Sequence, residues 1–223
     1  MQSSLETLSS REILRWAYQR VGDRVAISTA FGPSGLVLMH LAAQVCPGAK
    51  VFFIDTGFHF QETLDMIDRV SSKVQVNIEV IKPEFTVQQQ ALVHGDALHV
   101  INPDKCCTMR KVEPTRRMMS QLDGWITALR RDQGASRAQT PIMEELSVSG
   151  RPVTKINPLV HWTREEIWRH IFAHDLPYNP LQDQGYASVG CEPCTQPASD
   201  PNDERSGRWS GRQKTECGLH TSL

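Results

Sequence analysis

The chain has 223 residues, 39% of them hydrophobic and 22% charged, and a formal net charge of −1. That length fits one domain able to bury a full core without disulfide staples. The balanced charge, with no long Lys/Arg run, argues against a nucleic acid or an anionic membrane as partner and leaves a small molecule as the expected ligand.

The opening Met1-Gln2-Ser3-Ser4-Leu5-Glu6 lacks the basic and apolar regions of a signal peptide, so the chain is expected in a reducing cytoplasm. Six cysteines in that compartment indicate metal or redox chemistry. The stretch from Val25 to Ala49 contains no Asp, Glu, Lys or Arg, but Gly32-Pro33-Ser34, His40, Gln44 and Pro47 interrupt it. It reads as strand, turn and helix, not as a membrane span.

In chain order, Ser9 or Ser10 caps a helix whose apolar residues Ile13, Leu14, Trp16, Ala17 and Tyr18 precede a stop at Gly22. Val25 to Ser28 reads as a buried strand, followed by the loop Thr29 to Gly35 and a helix through Leu36, Leu38, Met39 and Ala42. A strand, Gly-rich loop and helix can offer backbone N–H groups and a helix dipole to a phosphate, here through Gly32 and Ser34. Many such turns contain Gly for conformational reasons alone. Cys46 sits unpartnered at the end of this helix and reads as structural. A second strand, Val51 to Ile54, ends in Asp55-Thr56-Gly57, polar residues at a carboxyl end where a ligand crevice belongs. A helix from about Gln61 to Val70, a third strand Val76 to Ile81 and a helix around Thr86 to Val93 follow. Repeated βα units imply a parallel sheet wrapped by helices.

Cys106-Cys107 then opens a basic helix from Arg110 and Lys111 to Met119, either a solvated face or a source of charge for an anionic substrate. Trp125 to Leu129 reads as a strand, and the loop Arg130 to Arg137 carries three arginines suited to a phosphate or sulfate clamp. Thr163-Arg164-Glu165-Glu166 is a capping box opening a helix from Ile167 to His174, to which no chemistry is assigned. After Cys191-Glu192-Pro193-Cys194 the composition turns polar from Gln196 and predicts a mobile tail. Residues 1–195 are thus one domain and residues 196–223 a mobile C-terminal tail.

Cys106-Cys107 and Cys191-x-x-Cys194 lie far apart and can meet only through folding. A Cys-x-x-Cys pair alone serves zinc, an iron-sulfur cluster or a redox dithiol. Adjacent cysteines point in different directions, which suits a cluster with several attachment points better than one small ion; four buried structural thiols are the plainer alternative. Cys217, near the end of the polar tail, is either adventitious or a nucleophile on a swinging arm.

These motifs together resemble an assimilatory adenylylsulfate (APS) reductase within the wider phosphoadenylylsulfate (PAPS) and adenylylsulfate reductase family. The likeness runs through the Ser28 to Gly35 loop, Asp55-Thr56-Gly57 with Glu62-Thr63, Cys106-Cys107 with Arg110 to Pro114, the Arg130 to Arg137 loop, Gly190 to Cys194, and Glu216 to His220. The resemblance implies an α/β, adenine nucleotide α-hydrolase-like (Rossmann-like) parallel sheet flanked by helices. It also implies one 4Fe-4S cluster per chain on Cys106, Cys107, Cys191 and Cys194, a catalytic Cys217, and thioredoxin or a glutaredoxin as reductant. The implied reaction releases sulfite and AMP from APS through an S-sulfo-cysteine on Cys217, within sulfate assimilation and cysteine biosynthesis. Lys111, Arg137, Arg205 and Arg208 match family positions for the substrate's phosphate and sulfate. The family usually has Gly where this chain has Ala128, and the loop Ala30 to Ser34 resembles the PAPS version as much as the APS one. A dual or PAPS-preferring reductase, an ATP-using sulfurylase-type enzyme and a cluster-based redox sensor are the alternatives; a homo-oligomer is left open.

Overall fold

The computed structural model describes residues 5–200, 203–210, 214 and 216. Cys217 and the residues that follow it lie outside the described residues.

The apolar runs become a six-stranded sheet: β1 (Val25–Thr29), β2 (Ala49–Ile54), β3 (Val76–Ile81), β4 (Gly124–Ile126), β5 (Met143–Val148) and β6 (Arg151–Ile156). The order across it is β3-β2-β1-β4-β6-β5. All neighbours pair in parallel except β5 and β6, which form an antiparallel hairpin. The chain winds outward from β1 through β2 to β3, then crosses to β4 on the other side of β1. Loops leaving β1 and β4 therefore diverge, opening a crevice at the carboxyl ends of these strands.

Helices cover both faces. α1 (Ser10–Val21) starts at the reciprocal cap of Ser9 with Glu12 and ends at Gly22, and its buried face is Ile13, Leu14 and Ala17. α2 (Pro33–Val45) is apolar almost all round and lies in the main core with Phe31, Phe53 and Ile126, as a helix enclosed on most sides must be. α3 (Gln61–Ser71) and α4 (Val87–His94) follow β2 and β3, and α5 (Leu98–Ile101) is a single turn. α6 (Pro103–Cys107) continues through a π-helical turn, Thr108–Val112, into α7 (Glu113–Met119), and α8 (Arg164–Ala173) opens at the Thr163 capping box. A smaller core of Phe52, Met118, Met119, Trp125 and Val153 seals the other face of the sheet.

Three local expectations change. The helix bearing Cys106 and Cys107 starts earlier, at Pro103 under an Asn102 cap, so both cysteines sit at its end, just before the π-turn. The strand expected over Trp125 to Leu129 pairs only as far as Ile126, because Thr127 to Leu129 turn away to form a wall of the crevice. The β5–β6 hairpin was not foreseen; it turns through Ser149 and Gly150, both with positive φ (51° and 78°), the backbone of a tight two-residue turn.

The polar stretch beyond Thr195 is laid against the body. Thr195 bridges to Arg208, the Gln196 amide donates to the Gly207 carbonyl, and Trp209 is 3% exposed. One buried aromatic anchors a segment whose average composition is hydrophilic.

Candidate functional site

The crevice is a cleft of about 240 Å³, walled by the Ser28 to Gly35 loop, Thr56, His59, the Thr127 to Arg130 segment and residues 204–209. β1 delivers the chain into the loop, where Phe31 is held in the left-handed region at φ 56° with its ring buried and its amide bonded to Thr29 Oγ1. Such a conformation costs on the order of 1–3 kcal/mol and persists because the packed ring dictates it. The turn aims the first turn of α2 at the cleft. Gly32 caps that helix without a side-chain hydrogen bond, leaving its opening N–H groups for an anion.

Of the expected substrate-binding residues, Gly32, Ser34, Thr56, Lys111, Arg130, Arg137, Arg205 and Arg208 all line this cleft. Asp55 and Gly57 do not. Asp55 accepts the Gly57 amide and faces Lys82 at 3.9 Å, so it shapes the turn after β2. Gly57, at φ 72°, lies where a Cβ would meet Val87 at 2.9 Å and Arg110 at 3.1 Å.

The arginine loop divides its labour. Arg130 is 2% exposed and fully engaged: it donates to Ser34 Oγ, to Asp132 at 2.8 Å and to Glu204 at 2.8 Å. It braces the Ser28 to Gly35 loop against the C-terminal segment. Arg131 turns away to Glu6 and the Thr140 carbonyl. Arg137 holds the Glu216 carboxylate at 2.7 Å, and Arg205 reaches the same carboxylate at 3.1 Å. Residue 216 is thereby fixed at the cleft, next in sequence to Cys217. Arg208 lies against Gly190, where even a Cβ would collide with its guanidinium at 2.3 Å, and 4.6 Å from the centre of the Trp209 ring. Its Nε is buried with no hydrogen-bond partner among the described residues. The cleft also takes in Arg164, Gln133, His59 and Ser188, which sequence reasoning missed; Arg164 is hidden in a capping box, Gln133 lies in a loop read only for its arginines, and His59 and Ser188 have no motif.

Cys106, Cys107, Cys191 and Cys194 line one small cavity with Phe58, His99, Arg110 and Trp209. Long-range pairing brings them there. His59 and Cys191 form an antiparallel bridge, the Glu192 amide donates to the Phe58 carbonyl at 2.7 Å, and the Trp209 amide donates to the Cys194 carbonyl at 3.1 Å. The Cys-x-x-Cys loop is thus stitched between the turn after β2 and the C-terminal segment. Arg110, 3% exposed, donates to the Thr56 and Phe85 carbonyls, each at 2.7 Å. Thr56 Oγ1 sits 3.3 Å from Cys191 Sγ, so the cleft and the cysteine cavity share a wall. Burial, reinforced by the three other cysteines, pushes the Cys106 thiol up to about 11. Thiolates crowded in this way call for cationic partners, which fits a metal group.

A family model described as the phosphoadenosine phosphosulfate reductase domain matches residues 24–197. The chain belongs to this family. The adenosine 5′-phosphosulfate reductase of Halalkalibacterium halodurans is 44% identical over 221 residues, covering 99% of this chain and 95% of that protein. The phosphoadenosine 5′-phosphosulfate reductase of Gloeobacter violaceus is also 44% identical, over 218 residues, covering 96% and 90%. Among solved structures, the phosphoadenylyl-sulfate reductase from Candida auris, in a phosphate complex, superposes with a TM-score of 0.75 at 32% identity over 86% of this chain and 92% of that one. The architecture is the adenine nucleotide α-hydrolase-like fold expected from the sequence. No helix among the described residues is long and apolar enough to cross a membrane.

Two outcomes follow from these contacts. Arg130→Met removes the nearer cation from the Glu204 carboxylate, leaving Arg164 at 3.6 Å, and should cost about 3 kcal/mol in urea unfolding; a loss under about 1 kcal/mol would mean that Arg164 and solvent already carry that charge. Burial holds His59 near 4, well below its ordinary value. As pH falls, the unfolded chain takes up that proton first, so stability should be full above about 6.5 and decline toward 4. His59→Gln should flatten the decline between pH 7 and pH 5; an unchanged slope would assign it to other groups.

Proposed function

We propose that the protein reduces adenylyl sulfate to sulfite and AMP in sulfate assimilation, with Cys217 as nucleophile and a thioredoxin or glutaredoxin as reductant. The observation that supports this reading is the placement of Glu216, the residue before Cys217: Arg137 and Arg205, both lining the cleft, hold its carboxylate. The names of the relatives favour the same chemistry.

In the first step the Cys217 thiolate attacks the sulfate sulfur. A sulfur–sulfur bond forms, the bond from that sulfur to the phosphate oxygen breaks, and AMP leaves with the electron pair. Lys111, Arg137, Arg205 and Arg208 supply the positive charge that stabilises the departing phosphate, and the unpartnered Nε of Arg208 fits an oxyanion. The opening turn of α2 with Gly32 and Ser34 takes the nucleotide phosphate. In the second step a thiolate of the reduced partner attacks Cys217 Sγ, sulfite leaves, and the partner's second thiol resolves the mixed disulfide, ending as a disulfide. The two encounters explain a nucleophile near the end of a tail: Cys217 must face the cleft first and the partner second.

Cys106, Cys107, Cys191 and Cys194 would hold one 4Fe-4S cluster, which would supply fixed charge near the cleft, and Cys191 meets the cleft wall at Thr56. The tail cysteine Cys217 weighs against a sulfurylase, since an adenylyl transferase has no use for it, and the near-neutral charge weighs against a DNA-binding sensor. The substrate preference proposed is APS over PAPS, with a cytoplasmic location.

Single turnover with substrate labelled in the sulfate sulfur, without reductant, tests the reading. The parent should retain close to one label per denatured chain, and Cys217→Ser should retain none while keeping its iron. Label of equal amount on Cys217→Ser would remove Cys217 from the chemistry.

A further inference from the structure

Away from the cleft, α2 and α8 bring three imidazoles together. His40 lies on α2, His170 on α8, and His174 at the C-terminal cap of α8. One ring nitrogen from each falls within 4.8 Å of the other two. His40 Nδ1 is 2.9 Å from His170 Nε2, and the rings lie 4.4–5.1 Å apart between centroids. None of the three lines the cleft or the cysteine cavity.

Core histidines are usually satisfied by backbone or hydroxyl partners. Here His40 and His170 are each other's partners, so one proton serves two facing nitrogens. The second ring nitrogen of His40, Nε2, is 3.2 Å from the Gln44 side-chain amide, one helical turn away. A side-chain amide on the outer nitrogen is the arrangement that orients a ligating imidazole: with its oxygen turned inward it accepts the Nε2 proton and leaves the Nδ1 lone pair for an ion. His170 and His174 are four residues apart on one helix face, a spacing that lets two imidazoles take the same ion. The site opens on a cavity of about 510 Å³ lined by Arg11, His161, Trp162 and Glu166 among others, which gives an ion a path to solvent and room for a water ligand.

We propose that His40, His170 and His174 form a second metal site, for a borderline first-row dication such as Zn²⁺, that clamps the second half of α2 to the end of α8. The donor set is three neutral nitrogens with no thiolate, which suits zinc, nickel or copper over magnesium or calcium. Burial, together with the neighbouring histidines and Arg11, lowers the proton affinity of His40 and holds His170 near 4, so at neutral pH both offer lone pairs without releasing a proton. Arg11 opposes the dication and Glu166, whose carboxylate is engaged by Thr163, offsets it only at the cavity wall. The site is independent of the reductase reading.

The experiment uses the full chain purified without oxygen, dialysed against Zn²⁺, with zinc and iron counted, calorimetric titration and melting followed together. His174 is exposed, so His174→Ala should leave the fold intact; His40→Gln is the second variant. The parent should take up one zinc per chain with its iron unchanged and melt at a higher temperature. Both variants should bind zinc about tenfold or more weakly and lose the zinc-dependent gain in melting temperature. No zinc on the parent, or equal zinc on the parent and both variants, overturns the assignment.

Discussion

The site depends on one seam: the turn after β2 holds the Cys-x-x-Cys loop by backbone pairing, and Thr56 carries that contact into the cleft. His59 bridges Cys191, Phe58 accepts from Glu192, and Thr56 Oγ1 touches Cys191 Sγ. Residues far apart in the chain are thereby fixed within bonding distance of the same short segment. Arg110 locks it from behind by donating to the Thr56 carbonyl. The C-terminal segment closes the other side through the Trp209 amide on Cys194. If the seam loosened, the cysteine cavity and the cleft would separate together.

Positive charge is concentrated in the cleft. Lys111, Arg137, Arg205 and Arg208 gather where β1 and β4 diverge, while Arg130 spends its whole guanidinium on bracing. Glu216 neutralises two of these arginines in the free protein.

Much of this was legible in sequence, and the physical reasons are specific. The cap at Ser9 or Ser10, the capping box at Thr163 and the continuous apolar strands gave the βα units, because capping and burial are local signals, whereas the cap at Thr86 was not read. The β5–β6 hairpin was missed although Ser149-Gly150 is a readable tight turn, since Glu144, Glu145 and Pro152 disguise the flanking strands. The arginine loop was recognisable as polar and basic, but its division into brace, outward-facing residue and cleft residue depends on Glu6, Glu204 and Glu216, all remote in sequence. The packing of the C-terminal segment was hidden because Trp209 is one apolar residue in a polar run. The histidine trio carried no signal beyond the spacing of His170 and His174; its third member comes from another helix.

The central claim is that this cleft and arm perform sulfonucleotide reduction. The most direct measurement is sulfite release by protein purified without oxygen, supplied with reduced thioredoxin and with APS and PAPS side by side at equal concentration. The account predicts sulfite from both assays' common chemistry with APS strongly preferred; no sulfite from either nucleotide would contradict it.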